Sequence, residues 1–182
     1  VSSPHPLTRP SWAAFALILL AVPLAMMVWP EPPPPLPHLA RLPAFEGAAL
    51  HGPHTGLPTS GAVVDITAWP CAQPCIDRTA AMAALAHGPQ PPPLLSVFTS
   101  PPDAHPALDA AQAVSGWSAV QVDRSGALEQ AWYAAGEGRE VAGGGLLLVD
   151  HTGSVRGIFP ATPDGVDATR AAWQHLQSTD PG

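Results

Sequence analysis

Residues 62–85 read "AVVDITAWPCAQPCIDRTAAMAAL". The β-branched run "AVVDIT" (62–67) predicts a short strand. Ala68, Trp69 and Pro70 carry the chain to Cys71. Residues 76–86, rich in alanine, predict a helix with Met82 and Leu85 on its apolar side. Cys71 and Cys75 are the two cysteines of the chain, and both fall at this junction of strand and helix. Three residues separate them. They form a redox pair, a metal clamp or a structural staple, and the surrounding sequence has to discriminate.

Working outward, "PLLSVFTS" (93–100) reads as a second, buried strand and "HPALDAAQAV" (105–114) as a helix with Pro106 near its start. "WSAVQV" (117–122) reads as a third strand. "SGALEQAWYAAG" (125–136) reads as a helix that Ser125 caps and Gly136 stops. "GLLLVDHTGSVRGIF" (145–159) predicts two strands joined by a turn at His151, Thr152 and Gly153. "DGVDATRAAWQHL" (164–176) predicts a closing helix with Val166, Ala172, Trp173 and Leu176 turned inward. Strands alternating with helices, then a hairpin and a last helix, imply an α/β domain: a central mixed sheet with helices on both faces. A cysteine pair between the first strand and the first helix is the layout of the thioredoxin fold.

That position has chemical consequences. The unsatisfied N–H groups at a helix start lower a thiol's pKa and favour the thiolate. Cys71 is expected to be the more exposed sulfur and Cys75 to lie about one turn into the helix, which suits an attacking thiol backed by a resolving one. Pro74 falls near the first turn, where its missing N–H costs little. A disulfide closing so small a loop is a poor staple, because it removes little entropy from the unfolded chain. Zinc lacks a second cysteine pair, whereas monovalent copper is satisfied by two thiolates and one further ligand.

Composition bounds the partners. The 182 residues carry a formal net charge of −7, with 12% charged residues. No lysine occurs, and the seven arginines are scattered. Without a basic stripe to neutralise phosphates, nucleic-acid binding is excluded. "WAAFALILLAVPLAMMVW" (12–29) has no charge, and as a helix would span about 27 Å, close to the ~30 Å hydrocarbon core. Trp12 and Trp29 stand at its ends, where indoles favour the membrane interface. Pro23 is tolerable within such a helix. Arg9 before it and Glu31 after it place residues 1–11 in the cytoplasm and the C-terminal domain on the periplasmic side of the inner membrane. The alternative, a cleaved signal peptide, calls for a shorter apolar core and small residues before the cut, not Met26, Met27, Val28 and Trp29. "PEPPPPLPHLARLP" (30–43) reads as a semi-rigid spacer. Residues 44–182 are then the folded domain.

In these motifs the chain resembles the Sco/SenC family, membrane-anchored thioredoxin-like proteins that help to assemble the copper centre of cytochrome c oxidase. "WPCAQPCIDRTAAMAAL" resembles the family's cysteine motif in spacing, "LLSVFTSPPDAHPAL" its second strand and turn, "LLLVDHTGSVRGIF" its late hairpin and "LPAFEGAAL" its opening strand. The resemblance covers about residues 42–178 and implies copper ligation by Cys71, Cys75 and a histidine. The chain also departs from the pattern. Eight residues before Asp150, where the family carries that histidine, stands Ala142. Ser100 replaces an aspartate, and Ala72 and Ile76 replace the prolines that follow the two cysteines.

Among other histidines, His105 is the best candidate metal ligand, since it follows the second strand on the edge where the cysteines lie. His51, His54 and His151 read as exposed loop residues. Trp69 and Trp117 serve either to dock a partner or to pack the domain. Together these features predict a membrane-tethered thiol–disulfide exchange protein acting on a protein partner, such as a subunit of a respiratory copper oxidase. Two alternatives are an accessory subunit of a membrane electron-transfer complex and a chaperone for monovalent copper, Cu(I).

Overall fold

A computed structural model describes residues 33–67, 73–101, 105–122, 127–128, 130–131 and 145–179. Cys71, Trp69, Ala142 and the expected anchor, residues 12–29, lie outside them. No helix among the described residues is long and apolar enough to cross a membrane. The chain divides into two compact units, Val1–Pro34 and Pro35–Gly182.

The second unit holds β1 (Ala40–Arg41), β2 (Ala48–His51), β3 (Ala62–Thr67), α1 (Gln73–Ala86), β4 (Leu94–Phe98), α2 (Pro106–Ala113), β5 (Trp117–Gln121), β6 (Leu146–Val149), β7 (Ser154–Phe159) and α3 (Pro163–Thr179). Seven strands form one sheet in the order β1-β7-β6-β3-β4-β5-β2. β3, β4 and β5 are parallel neighbours, with α1 and α2 as their crossovers. β6 runs antiparallel to β3, and β7 antiparallel to β6. The sheet is therefore mixed, as the alternating pattern predicts.

Alternate residues of each strand feed two cores. Val63, Leu94, Phe98, Trp117 and Leu146 face Met82 and Leu85 of α1, Ala107 and Ala111 of α2, and Val166, Trp173 and Leu176 of α3. Val64, Ile66, Leu95, Val97, Val120 and Leu147 face the other way, towards Leu42, Leu128 and the partly buried Phe45 and Leu57. Trp117 is a packing residue: its indole is buried and donates to Ser96 Oγ at 3.0 Å.

The other predicted strands and helices appear within a few residues of their expected ends, while both ends of the helix expected over 125–136 lie outside the described residues; α1 starts earlier, at Gln73, and α3 runs on to Thr179. One expectation needs correcting. Residues 36–42, assigned to the spacer, are part of the domain. Leu39 N–H bonds to Val155 O at 2.9 Å, Ala40 and Arg41 pair with β7, and Leu42 is buried. The reason is local: the proline run stops at Pro37 and resumes only at Pro43. Between them the backbone keeps its N–H groups and can pair with the sheet edge.

Candidate functional site

β3 ends at Thr67, and α1 brings Cys75 back over that end within its first turn. Cys75 is disulfide-bonded. The sequence holds one other cysteine, Cys71, which lies outside the described residues. Cys75 is only 4% exposed, so a reacting molecule has little access to its sulfur. Its neighbour Ile76 is the contrast, an apolar side chain 44% exposed beside the disulfide.

Beneath Cys75 lies a small polar cluster. Thr67 Oγ1 donates to Cys75 Sγ at 3.6 Å. His105 Nε2 lies 3.4 Å from Cys75 Sγ and 3.4 Å from Thr67 Oγ1. His105 stands immediately before α2 in extended conformation and caps that helix, its Nδ1 accepting the Ala107 N–H at 3.1 Å. Its ring meets Phe98 edge to face, centroids 4.8 Å apart. Burial, helped by the Arg78 guanidinium, holds the His105 pKa below its ordinary value, against the opposing pull of Asp65 and Asp109. The imidazole is therefore neutral at neutral pH.

One residue inward along the same face of β3 from Thr67 lies Asp65. It is fully buried and paired with Arg78 Nε at 2.7 Å through Oδ1. Its Oδ2 has no hydrogen-bond partner among the described residues. Burial pushes the Asp65 carboxyl up from its usual range, and the charge and hydrogen bond of Arg78 offset only part of that rise. Sequence reasoning did not single out Asp65, Arg78 or Thr67. A signal was present: an aspartate inside a β-branched run, and an arginine one helical turn past Cys75.

The other candidate histidines are elsewhere. His151 sits in the hairpin turn after β6, beside the amino end of β3, whereas Cys75 covers the carboxyl end. His51 ends the outermost strand β2, and His54 follows it in a loop. A cleft of about 460 Å³ also lies at the hairpin end, lined by Phe45, Glu46, Leu57 and His151 among others.

Proximity alone does not make His105 a copper ligand. Nδ1 spends its lone pair on the Ala107 N–H, so the neutral ring carries its proton on Nε2. Nε2 is the nitrogen that faces sulfur, and with a proton on it there is no lone pair for a metal. The described part of a Sco-type site thus does not fit copper through imidazole. Among the described residues, no group of three His, Cys, Asp or Glu side chains could hold a metal ion.

No family model matches the chain, and no curated protein does. Among solved structures, the chain is similar to the solution structure of a thiol:disulfide interchange protein from Bacteroides sp.. The identity is 16% and the TM-score 0.49, over 81% of this chain and 92% of that one.

Proposed function

We propose that this protein exchanges its Cys71–Cys75 disulfide with the thiols of a partner protein, on a thioredoxin-like scaffold. The observation that carries the reading is the disulfide-bonded Cys75 in the first turn of α1, its sulfur covered by Thr67 and His105. A staple needs neither a helix start nor a neutral imidazole against one sulfur. Because Cys75 is buried, the partner thiolate attacks Cys71. The S–S bond breaks and its electron pair leaves on Cys75. A second partner thiolate then attacks the partner sulfur of the mixed disulfide and releases Cys71 as thiolate. The partner leaves oxidised by two electrons and the pair is reduced.

The likeness in motif spacing to Sco/SenC proteins supports a place for this exchange on the periplasmic face of the inner membrane. There the client would be the thiols of a respiratory or electron-transfer subunit. An accessory subunit held permanently in such a complex is the same domain with its client fixed. Copper delivery is the weaker reading. Two reduced sulfurs suit monovalent copper, but His105 presents a proton to them.

The test is trapping. Cys75→Ser, which leaves only Cys71, should accumulate a mixed disulfide with a peptide disulfide. Cys71→Ser should react far more slowly, because its remaining thiol is buried. Preferential reaction at Cys75 contradicts the reading.

A further inference from the structure

We propose that His105 is a fixed hydrogen-bond donor to Cys75, built to hold the negative charge that this sulfur takes each time the disulfide opens. The inference rests on the exchange reading and names the group that makes Cys75 a good leaving group.

The cap of α2 sets the tautomer. The helix has N–H groups at its start with no partner within the helix. Side chains that cap such ends are most often Ser, Thr, Asp or Asn. Here the cap is a histidine, whose Nδ1 takes the Ala107 N–H at 3.1 Å. A ring nitrogen that accepts an N–H bears no proton, so the proton of the neutral ring lies on Nε2. The edge-on contact with Phe98 helps to fix the ring.

That leaves one N–H with, among the described residues, two acceptors in reach, Cys75 Sγ and Thr67 Oγ1, each at 3.4 Å. Thr67 in turn donates its hydroxyl proton to Cys75 Sγ at 3.6 Å. Two donors thus converge on one sulfur, directly and by relay. Both are almost wholly buried, with Thr67 and His105 each 1% exposed. In such surroundings a hydrogen bond to a charged atom is stronger than it is in water.

When a partner thiolate attacks Cys71, the S–S electron pair passes to Cys75 Sγ, and no proton has to move for that step. The donors are already in place. They gain more from the thiolate than from the disulfide sulfur, so they favour the opened state and speed its formation. In the reverse direction the Cys75 thiolate attacks the mixed disulfide and expels the partner thiolate. A pair with such donors is more oxidising than one without them.

His105→Asn is the informative change, because asparagine can still cap α2 but cannot reach the sulfur. The reduction potential of the pair and its rate of opening are measured against glutathione in the full chain, beside urea unfolding. The expected result is an equilibrium shifted about tenfold towards the disulfide, slower opening by a similar factor, and a near-normal unfolding midpoint. Thr67→Val removes the relay and should shift the equilibrium in the same direction, by about threefold. It carries the test alone if His105→Asn does not fold. A folded variant with the wild-type equilibrium and rate overturns the donor role while leaving wild-type exchange intact. A wild-type pair that does not exchange with glutathione at all overturns the exchange reading, and this inference with it.

Discussion

Two buried aspartates, one towards each end of the sheet, are held in opposite ways. Asp150 follows β6 at the hairpin turn. Its Oδ1 accepts from Thr152 N–H at 2.8 Å, Thr152 Oγ1 at 2.7 Å and Ser154 N–H at 2.9 Å. Its Oδ2 lies 2.9 Å from Arg156 Nε. Arg156 arrives there because β7 bulges: Leu148 faces Gly157 but Val149 faces Val155, which leaves Arg156 as the extra residue. Burial raises the Asp150 pKa, but the bonds from Thr152 and Ser154, with Arg156, outweigh it and leave the carboxyl below its ordinary value. Asp65, by contrast, has one cation on one oxygen and, among the described residues, no hydrogen bond on the other. At the hairpin end one oxygen, Asp150 Oδ1, gathers three short hydrogen bonds, and Oδ2 is held by the Arg156 ion pair. At the cysteine end the contacts to Cys75 Sγ are longer, 3.4 Å from His105 Nε2 and 3.6 Å from Thr67 Oγ1. Short bonds on a fixed carboxylate hold a shape, whereas longer contacts to a sulfur can tighten when that sulfur takes up charge.

The largest effect should come from breaking the Asp65–Arg78 pair. Asp65→Leu or Arg78→Met alone leaves a buried charged group without this partner and should cost about 3–5 kcal/mol. The double variant should recover most of that, since two apolar side chains then fill the space. Urea unfolding of all four proteins checks this. Additive losses would mean that the pair is not coupled.

Next in size is the hairpin. Asp150→Ala removes three hydrogen bonds to a charged oxygen and takes the carboxylate away from Arg156, so it should cost about 2–4 kcal/mol. It should leave the equilibrium of the cysteine pair with glutathione unchanged. A change in that equilibrium would erase the division of labour between the two ends.

The smaller effect is a difference in sign with pH. The folded-state pKa of Asp150 lies below its unfolded value. Its carboxylate therefore stabilises the fold above about pH 4 and loses that contribution as pH falls through the folded value. Asp65 is displaced upward, so its contribution is fullest below the unfolded value and fades as pH rises through the folded one. On acidification, wild type should lose stability relative to Asp150→Asn and gain it relative to Asp65→Asn. Each unit of displacement is worth about 1.4 kcal/mol. Parallel pH responses would contradict the contrast.

Much of this fold is legible in the sequence, because its strands are short apolar runs bounded by breakers. "AVVDIT" forms β3 over the residues expected. The hairpin turn falls at His151, Thr152 and Gly153, where Gly153 takes the positive φ of 83° that the turn requires. The site is legible only in part. The strand–cysteine–helix order marks the sulfur pair. The position of His105 after a parallel strand brings it to the same sheet edge, where it lies 3.4 Å from Cys75 Sγ. Its chemical role is not legible, because the tautomer depends on a backbone N–H that only the folded start of α2 presents. Asp65 and Arg78 are hidden for a similar reason: each is an ordinary polar residue until the register of β3 and α1 makes them face each other in the core. The spacer reads too long in the sequence because its composition is set by prolines on both sides of a segment that pairs with β7.

Transfer of the disulfide to a client under native conditions tests the central claim most directly. Oxidised protein is mixed with one equivalent of a reduced dithiol peptide, quenched by alkylation, and both partners are weighed by mass spectrometry. The account predicts that peptide disulfide appears in step with a protein carrying two alkylated cysteines, Cys71 and Cys75, while the domain stays folded. A disulfide that remains closed until urea unfolds the domain would make the pair a staple and contradict the account.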